Sequence, residues 1–239
     1  MKIRKDLIDK SRYSIKCPYT MDYEYVTYHN TDNSASASNE ISYIKRNNNK
    51  VSFHIAVDDI EAIEGLPLDR NAWHCGDGNG NGNRKSVGVE ICYSKLGKES
   101  SKFKKAEDNA VNVCAKLLKD KGLGIDRLKP HRFWSGKNCP SVTDCMAFER
   151  KVKIELDLLN GNDKTSVFRN GDYSKKVALV TCDVLNVRFD RGTKYDVVGK
   201  VRRGDKVKLN YCLNNWVSVE GYSGSKGLGY VCCDYLKLV

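Results

Sequence analysis

The chain has 239 residues, 40% of them hydrophobic and 30% charged, with a formal net charge of +11. That composition belongs to an ordinary soluble globular protein and excludes disordered and fibrous classes. No apolar run reaches the roughly 18 residues of a membrane helix, and the basic N-terminus MKIRKDLIDKSRYSIK lacks the apolar core of a secretory signal, so synthesis in a cytoplasm is expected.

Residues 1 to 20 read as a leading segment in which DLIDKSRYS opens a short helix or turn. YEYVTYH follows as a strand, since tyrosine, valine and threonine favour extended backbone. The small polar loop TDNSASAS precedes a helix over NEISYIKRN, capped by Ser38 or Asn39 and ended by the asparagines at 47 to 49. VSFHIAVDD and DDIEAIEG form a hairpin turning near Asp58 and Asp59. The glycine and asparagine tract GDGNGNGN tolerates positive φ, excludes a regular element, and reads as a flexible rim with Trp73 and His74 at its base. It lacks the GK[ST] ending of a phosphate-binding loop.

SVGVEICYS is apolar on both faces apart from Glu90, as expected of a central strand. A buried acid is costly unless it is paired, hydrogen-bonded or protonated, so Glu90 has a reason beyond solubility. Phe103, Ala106, Ala110, Val113, Cys114, Leu117 and Leu118 repeat at helical spacing, with Ser100 or Ser101 as cap and Gly122 as stop. SVTDCMAFERKVKIELDLLN forms a last helix with Ser141 as cap. These elements predict a mixed central β-sheet flanked by helices over residues 1–159. A polar linker at 160–176 follows, and then seven short strands, from VALVTC to YLKLV, predict a small all-β barrel over 177–239.

The chemistry concentrates in HRFWSGKNCP, residues 131–140. Neutral imidazole and thiolate are both zinc ligands, and a catalytic zinc site takes three protein ligands with a position left for water. His131 and Cys139 supply two; His29, ending the strand TYHN, is the best candidate for the third.

TYHN, AWHCGDGNGNGN, SVGVEIC and HRFWSGKNCP, in that order, resemble the zinc-dependent N-acetylmuramoyl-L-alanine amidases of the type 2 family, over roughly residues 20 to 158. The likeness is strongest to endolysins of phages infecting Gram-positive bacteria, which have Glu in the VEIC strand and Lys two residues before the ligand Cys. LNVRFDRGTKYDVVGKVRRGDKVKL, NWVSV and GYVCCDYL resemble a bacterial SH3-type domain. The resemblance implies Zn²⁺ on His29, His131 and Cys139, with Glu90 as general base and Lys137 stabilising the oxyanion. It also implies hydrolysis of the bond between N-acetylmuramic acid and the L-alanine of the stem peptide. Trp73, His74 and Trp134 are candidate substrate contacts and Trp216 a candidate wall contact; each tryptophan is equally suited to packing. Many relatives have a catalytic tyrosine where Phe53 aligns, and phenylalanine cannot donate that hydrogen bond. Neighbouring His54 reads as a satisfied structural histidine.

Two other readings predict different behaviour. A recognition protein of the same fold binds peptidoglycan without cleaving it and typically lacks the ligand cysteine, which Cys139 provides here. A host autolysin has the same activity but normally carries an export signal. An endolysin instead acts on the wall after a holin-type partner opens the membrane.

Positive charge is denser in the tail, where residues 160–239 carry 14 Lys and Arg against 8 Asp and Glu, while 1–159 carry 27 against 22. No basic helical stripe or RNA motif accompanies it, so nucleic acid is not expected; anionic wall polymers fit better, beside a merely solvated basic surface. The ten cysteines show no CxxC pair and read as thiols in a reducing compartment, with Cys232 and Cys233 able to bridge in an oxidising medium.

Overall fold

A computed structural model describes residues 1–161 and 168–239. Its chain divides into two compact units, Met1–Asn162 and Asp163–Val239. Part of the expected linker, 162–167, lies outside the described residues.

The first unit runs β1 (Ile3–Lys5), α1 (Tyr13–Lys16), β2 (Tyr25–Asn30), α2 (Ala37–Arg46), β3 (Ile55–Val57), β4 (Ala62–Glu64), α3 (Asn81–Arg84), β5 (Ser86–Ile91), α4 (Ser101–Asp120), β6 (Leu128–Pro130), α5 (Arg132–Ser135) and α6 (Cys145–Leu159). Its sheet has the order β1-β4-β3-β5-β2-β6. Only the β3–β4 hairpin is antiparallel; the other pairs are parallel. This is the mixed sheet with flanking helices that the sequence predicts, and β5 is central as expected.

Period-two alternation gives the sheet two chemically different faces. Val26 and Tyr28 on β2, with Val87, Val89 and Ile91 on β5, are fully buried in the apolar core. Tyr28 stacks on Phe148 of α6, ring centroids 4.6 Å apart, and its hydroxyl donates to Glu149. The alternate positions, Thr27, His29, Ser86, Gly88 and Glu90, leave the opposite face, where the polar chemistry collects. α4 packs on β2, β3 and β5 through the apolar stripe read from the sequence. Burying each large side chain of that stripe contributes about 1.5–3 kcal/mol.

Tertiary contacts shift several local expectations. α2 begins at Ala37 with Ser36 as cap, rather than Ser38 or Asn39, because the Asp58 carboxylate accepts the Ala37 N–H at 2.9 Å. Its other oxygen accepts from Ile60 and Glu61, which turns the hairpin there. Asp144, not Ser141, caps α6; the Ser141 hydroxyl goes to Asp32. The N-terminal segment adds an unexpected edge strand, β1. The glycine tract, expected to exclude any regular element, contains the helical turn α3.

The second unit comprises β7 (Gly171–Asp172), β8 (Val177–Val180), β9 (Val184–Arg188), β10 (Val197–Arg202), β11 (Lys206–Leu213), β12 (Trp216–Val219), β13 (Gly229–Cys232) and β14 (Leu236–Leu238). They form one antiparallel sheet, β10-β9-β13-β12-β11-β8-β14, with β7 against β11. Their inward residues, among them Ala178, Val187, Leu209, Val217 and Val231, make a separate core. Cys233 faces Cys212 with the sulfurs 3.6 Å apart, while the Cys232 thiol donates to Asp234. Both adjacent cysteines are free thiols here, and the sulfur facing Cys233 is that of Cys212 on β11.

Candidate active site

The C-terminal ends of β2 and β5 and the segment 131–139 open into a cleft of 830 Å³, bordered also by α2 and by residues 50–53 and 73–76. The geometry brings His29, His131 and Cys139 together, with ligand atoms within 4.8 Å of one another. His29 Nδ1 lies 3.0 Å from His131 Nδ1 and 3.9 Å from Cys139 Sγ. All three side chains are buried. Asn30 holds the returning chain in place: its Oδ1 accepts from Val142 and Thr143 N–H, and its Nδ2 donates to the Thr143 hydroxyl.

The hydrogen bonds fix which nitrogens carry protons. His74 Nε2 donates to the Ser86 carbonyl at 3.2 Å, so in the neutral ring its Nδ1 must accept, and His29 Nε2 donates to it at 2.9 Å. His131 Nε2 donates to the Cys75 carbonyl at 3.0 Å. Both remaining Nδ1 atoms therefore turn lone pairs toward each other. Burial pulls the pKa of all three histidines below the usual range, which disfavours a proton between them. Two lone pairs at this separation, beside a thiol, suit a metal cation; the donor set fits one.

Glu90 is the direct register partner of His29. Its Oε2 is buried without a hydrogen-bond partner. Burial and the nearby Glu40 carboxylate raise its pKa to about 8, partly opposed by the Lys137 ammonium. Lys137 borders the cleft and is itself exposed. Burial likewise pushes the Cys139 thiol up to about 11.

The other candidates are placed as follows. Trp73 borders the cleft half-buried, its indole N–H donating to the Ile15 carbonyl. His74 also borders the cleft, hydrogen-bonded to His29. Trp134 is not a cleft residue; its N–H donates to Thr27 and its ring packs on Tyr25 and Phe133. Phe53 borders the cleft, nearly buried. His54 is hydrogen-bonded on both sides, Nε2 donating to Arg70 O and Nδ1 accepting from Gly88 N–H. Trp216, on β12, is half-buried in the second unit. Sequence reasoning missed Glu40, Asn30 and Asn83. A glutamate on the buried side of a short helix was a usable signal for Glu40; the asparagines act through contacts that no local pattern reports.

With this geometry in view, the comparisons with known proteins agree. A family profile for N-acetylmuramoyl-L-alanine amidase matches residues 19–142, and one for the bacterial SH3 domain matches 183–237. The chain is 45% identical over 210 residues to the N-acetylmuramoyl-L-alanine amidase CwlA of Bacillus subtilis (strain 168), covering 87% of this chain and 76% of CwlA. It is 58% identical over 216 residues to the amidase XlyB of the same organism, covering 89% of this chain and 64% of XlyB. The structure of PlyL superposes with a TM-score of 0.63 at 52% identity, covering 65% of this chain and 99% of PlyL. The chain belongs to the N-acetylmuramoyl-L-alanine amidase family and carries a bacterial SH3 domain. It is an enzyme of that class.

Proposed function

We propose that this chain hydrolyses the amide between the lactyl group of N-acetylmuramic acid and the L-alanine of the peptidoglycan stem peptide, with zinc held by His29, His131 and Cys139. The observation that carries the reading is the pair of facing Nδ1 lone pairs beside Cys139, with the unpartnered Glu90 Oε2 in the same cleft.

Zinc, when bound, supplies Lewis acidity, lowering the pKa of water and polarising the scissile carbonyl. Glu90 accepts the proton of the attacking water and returns it to the departing amine nitrogen. One carboxyl can perform both transfers in turn. Lys137 places positive charge where the carbonyl oxygen becomes negative. Trp73 walls the substrate side of the cleft. His74 serves through His29, and no substrate role is proposed for Trp134.

Residues 177–239, within the second unit, are proposed as the wall-binding module. Its basic surface suits anionic wall polymers, and Trp216 is a candidate contact. The resemblance to phage endolysins is the ground for proposing that role over a host autolysin, with access to the wall provided by a holin-type partner. Mass analysis of wall digests tests the reaction. New N-terminal alanine is expected, and new reducing ends without it would refute the reading. Metal content tests the site: about one zinc per chain is expected, lost in His29→Ala and Cys139→Ser. For the endolysin reading, expression in a Gram-positive host should cause lysis only after the membrane is permeabilised; lysis without it would favour an autolysin.

A further inference from the structure

Each metal-facing imidazole offers the correct nitrogen only because its far nitrogen is engaged. His29 Nε2 is engaged by His74 Nδ1 and His131 Nε2 by the Cys75 carbonyl, at 2.9 and 3.0 Å. Both partners come from one dipeptide, His74-Cys75, which lies in no helix or strand. Asn83 holds it: its Oδ1 accepts the His74 and Cys75 N–H groups, both at 2.8 Å, and its Nδ2 donates to the Gly78 carbonyl. Asp77 holds Asn83 in turn, accepting the N–H groups of Gly82 and Asn83 at 2.7 and 3.1 Å.

The glycines make this possible by different means. Gly76 and Gly78 take positive φ, 70° and 61°. Gly82 and Gly88 allow close approach: a Cβ on Gly82 would lie 2.7 Å from Cys75 Cβ, and one on Gly88 2.7 Å from His74 Nδ1. The tract expected to be a flexible rim does border the cleft, through Gly76 and Asn83, and is held by hydrogen bonds of its own.

The geometry points to residues 74–84 as a clamp that preorganises both metal-facing imidazoles, with His74 and Asn83 as its positioning residues. The inference rests on the metal reading above and deepens it. Neither residue gives an atom to the ion in that reading; together they decide which ring nitrogen does. His29, His74 and Cys75 also cluster within 4.8 Å, but the His29–His74 contact is already a complete N–H···N hydrogen bond. That cluster is support for the first site rather than a second one.

The test is zinc affinity of the full chain by chelator competition, together with ¹⁵N NMR of the ring nitrogens in the metal-free protein. His74→Leu and Asn83→Ala should each bind zinc about 10–100-fold more weakly, the usual cost of removing a partner behind a ligand. His74→Asn, which restores an acceptor beside His29 Nε2, should recover most of the loss. Unchanged affinity in the Leu and Ala variants, with zinc lost in His29→Ala, would overturn the clamp and leave the metal reading standing. Zinc retained by His29→Ala would remove both. If the Leu variant does not fold, the unaltered chain decides: His29 and His131 should each carry their proton on Nε2, and a proton on Nδ1 of either overturns the inference.

Discussion

His29 and Glu90 face each other as register partners on adjacent parallel strands, β2 and β5. The sheet itself therefore sets the spacing between the first ligand-type residue and the carboxylate, and no loop has to be ordered to bring them together. Only the 131–139 segment must dock to complete the constellation.

Substituting Glu90 separates activity from stability. Glu90→Gln should keep zinc and lose about 10²–10⁴-fold in wall cleavage. Its folded-state pKa, about 8, lies above the ordinary 4.5. Between those values the unfolded chain is ionised while the folded one holds its proton, so the carboxyl's contribution to stability falls as pH rises through that window. The metal-free Gln variant should therefore unfold at higher urea than the parent at pH 8 and at similar urea at pH 4. A lower midpoint at the higher pH would show that the carboxylate is well satisfied.

Lys137 is exposed, so removing it should leave folding intact. Lys137→Met is expected to lower kcat by about 10²–10³-fold, with zinc content unchanged. A rise in KM alone would reassign the lysine to substrate binding.

Lys16 is fully buried, its ammonium donating to Asn47 Oδ1 and to the Asn49 and Val51 carbonyls at 2.7, 2.6 and 3.0 Å. It ties down the segment at 47–51, which leads to Phe53 at the cleft. Lys16→Met strands three acceptors and should destabilise the protein by about 3 kcal/mol or more; urea unfolding measures it. A change below about 1 kcal/mol would mean that water replaces the ammonium.

His54 provides the pH test. Burial lowers its pKa from 6.5 to about 4. The unfolded state takes up the proton first as pH falls, so stability is complete above 6.5 and drains away toward 4, by about 3 kcal/mol for this residue. NMR at about pH 5.5 should find the ring neutral with its proton on Nε2; titration near 6.5 would refute the burial argument.

The two units each have their own core. A chain ending at residue 161 should still cleave purified wall but bind intact cells more weakly. Equal binding would assign the second unit to stability.

Much of this was legible in the sequence because the deciding signals were local and periodic. Aromatic and β-branched content exposed β2, a run apolar on both faces exposed β5, helical spacing exposed α4, and the imidazole and thiol at 131 and 139 announced ligand chemistry. Cap positions were not legible: ASAS offers several equivalent hydroxyls, and Asp58, over 20 residues on, selects among them through the Ala37 N–H. The glycine tract misled for the same reason. Its composition reports freedom of the backbone, whereas its order comes from Asp77 and Asn83 acting across the loop.

Both margins of the six-stranded sheet are poor templates. One is the three-residue β1, which carries Arg4 and Lys5; the other is β6, with Lys129 and then Pro130, which has no N–H to donate. Both margins therefore disfavour extension of this sheet by a strand from a second molecule. Crowding the protein should accordingly not drive strand addition at the margins of this sheet.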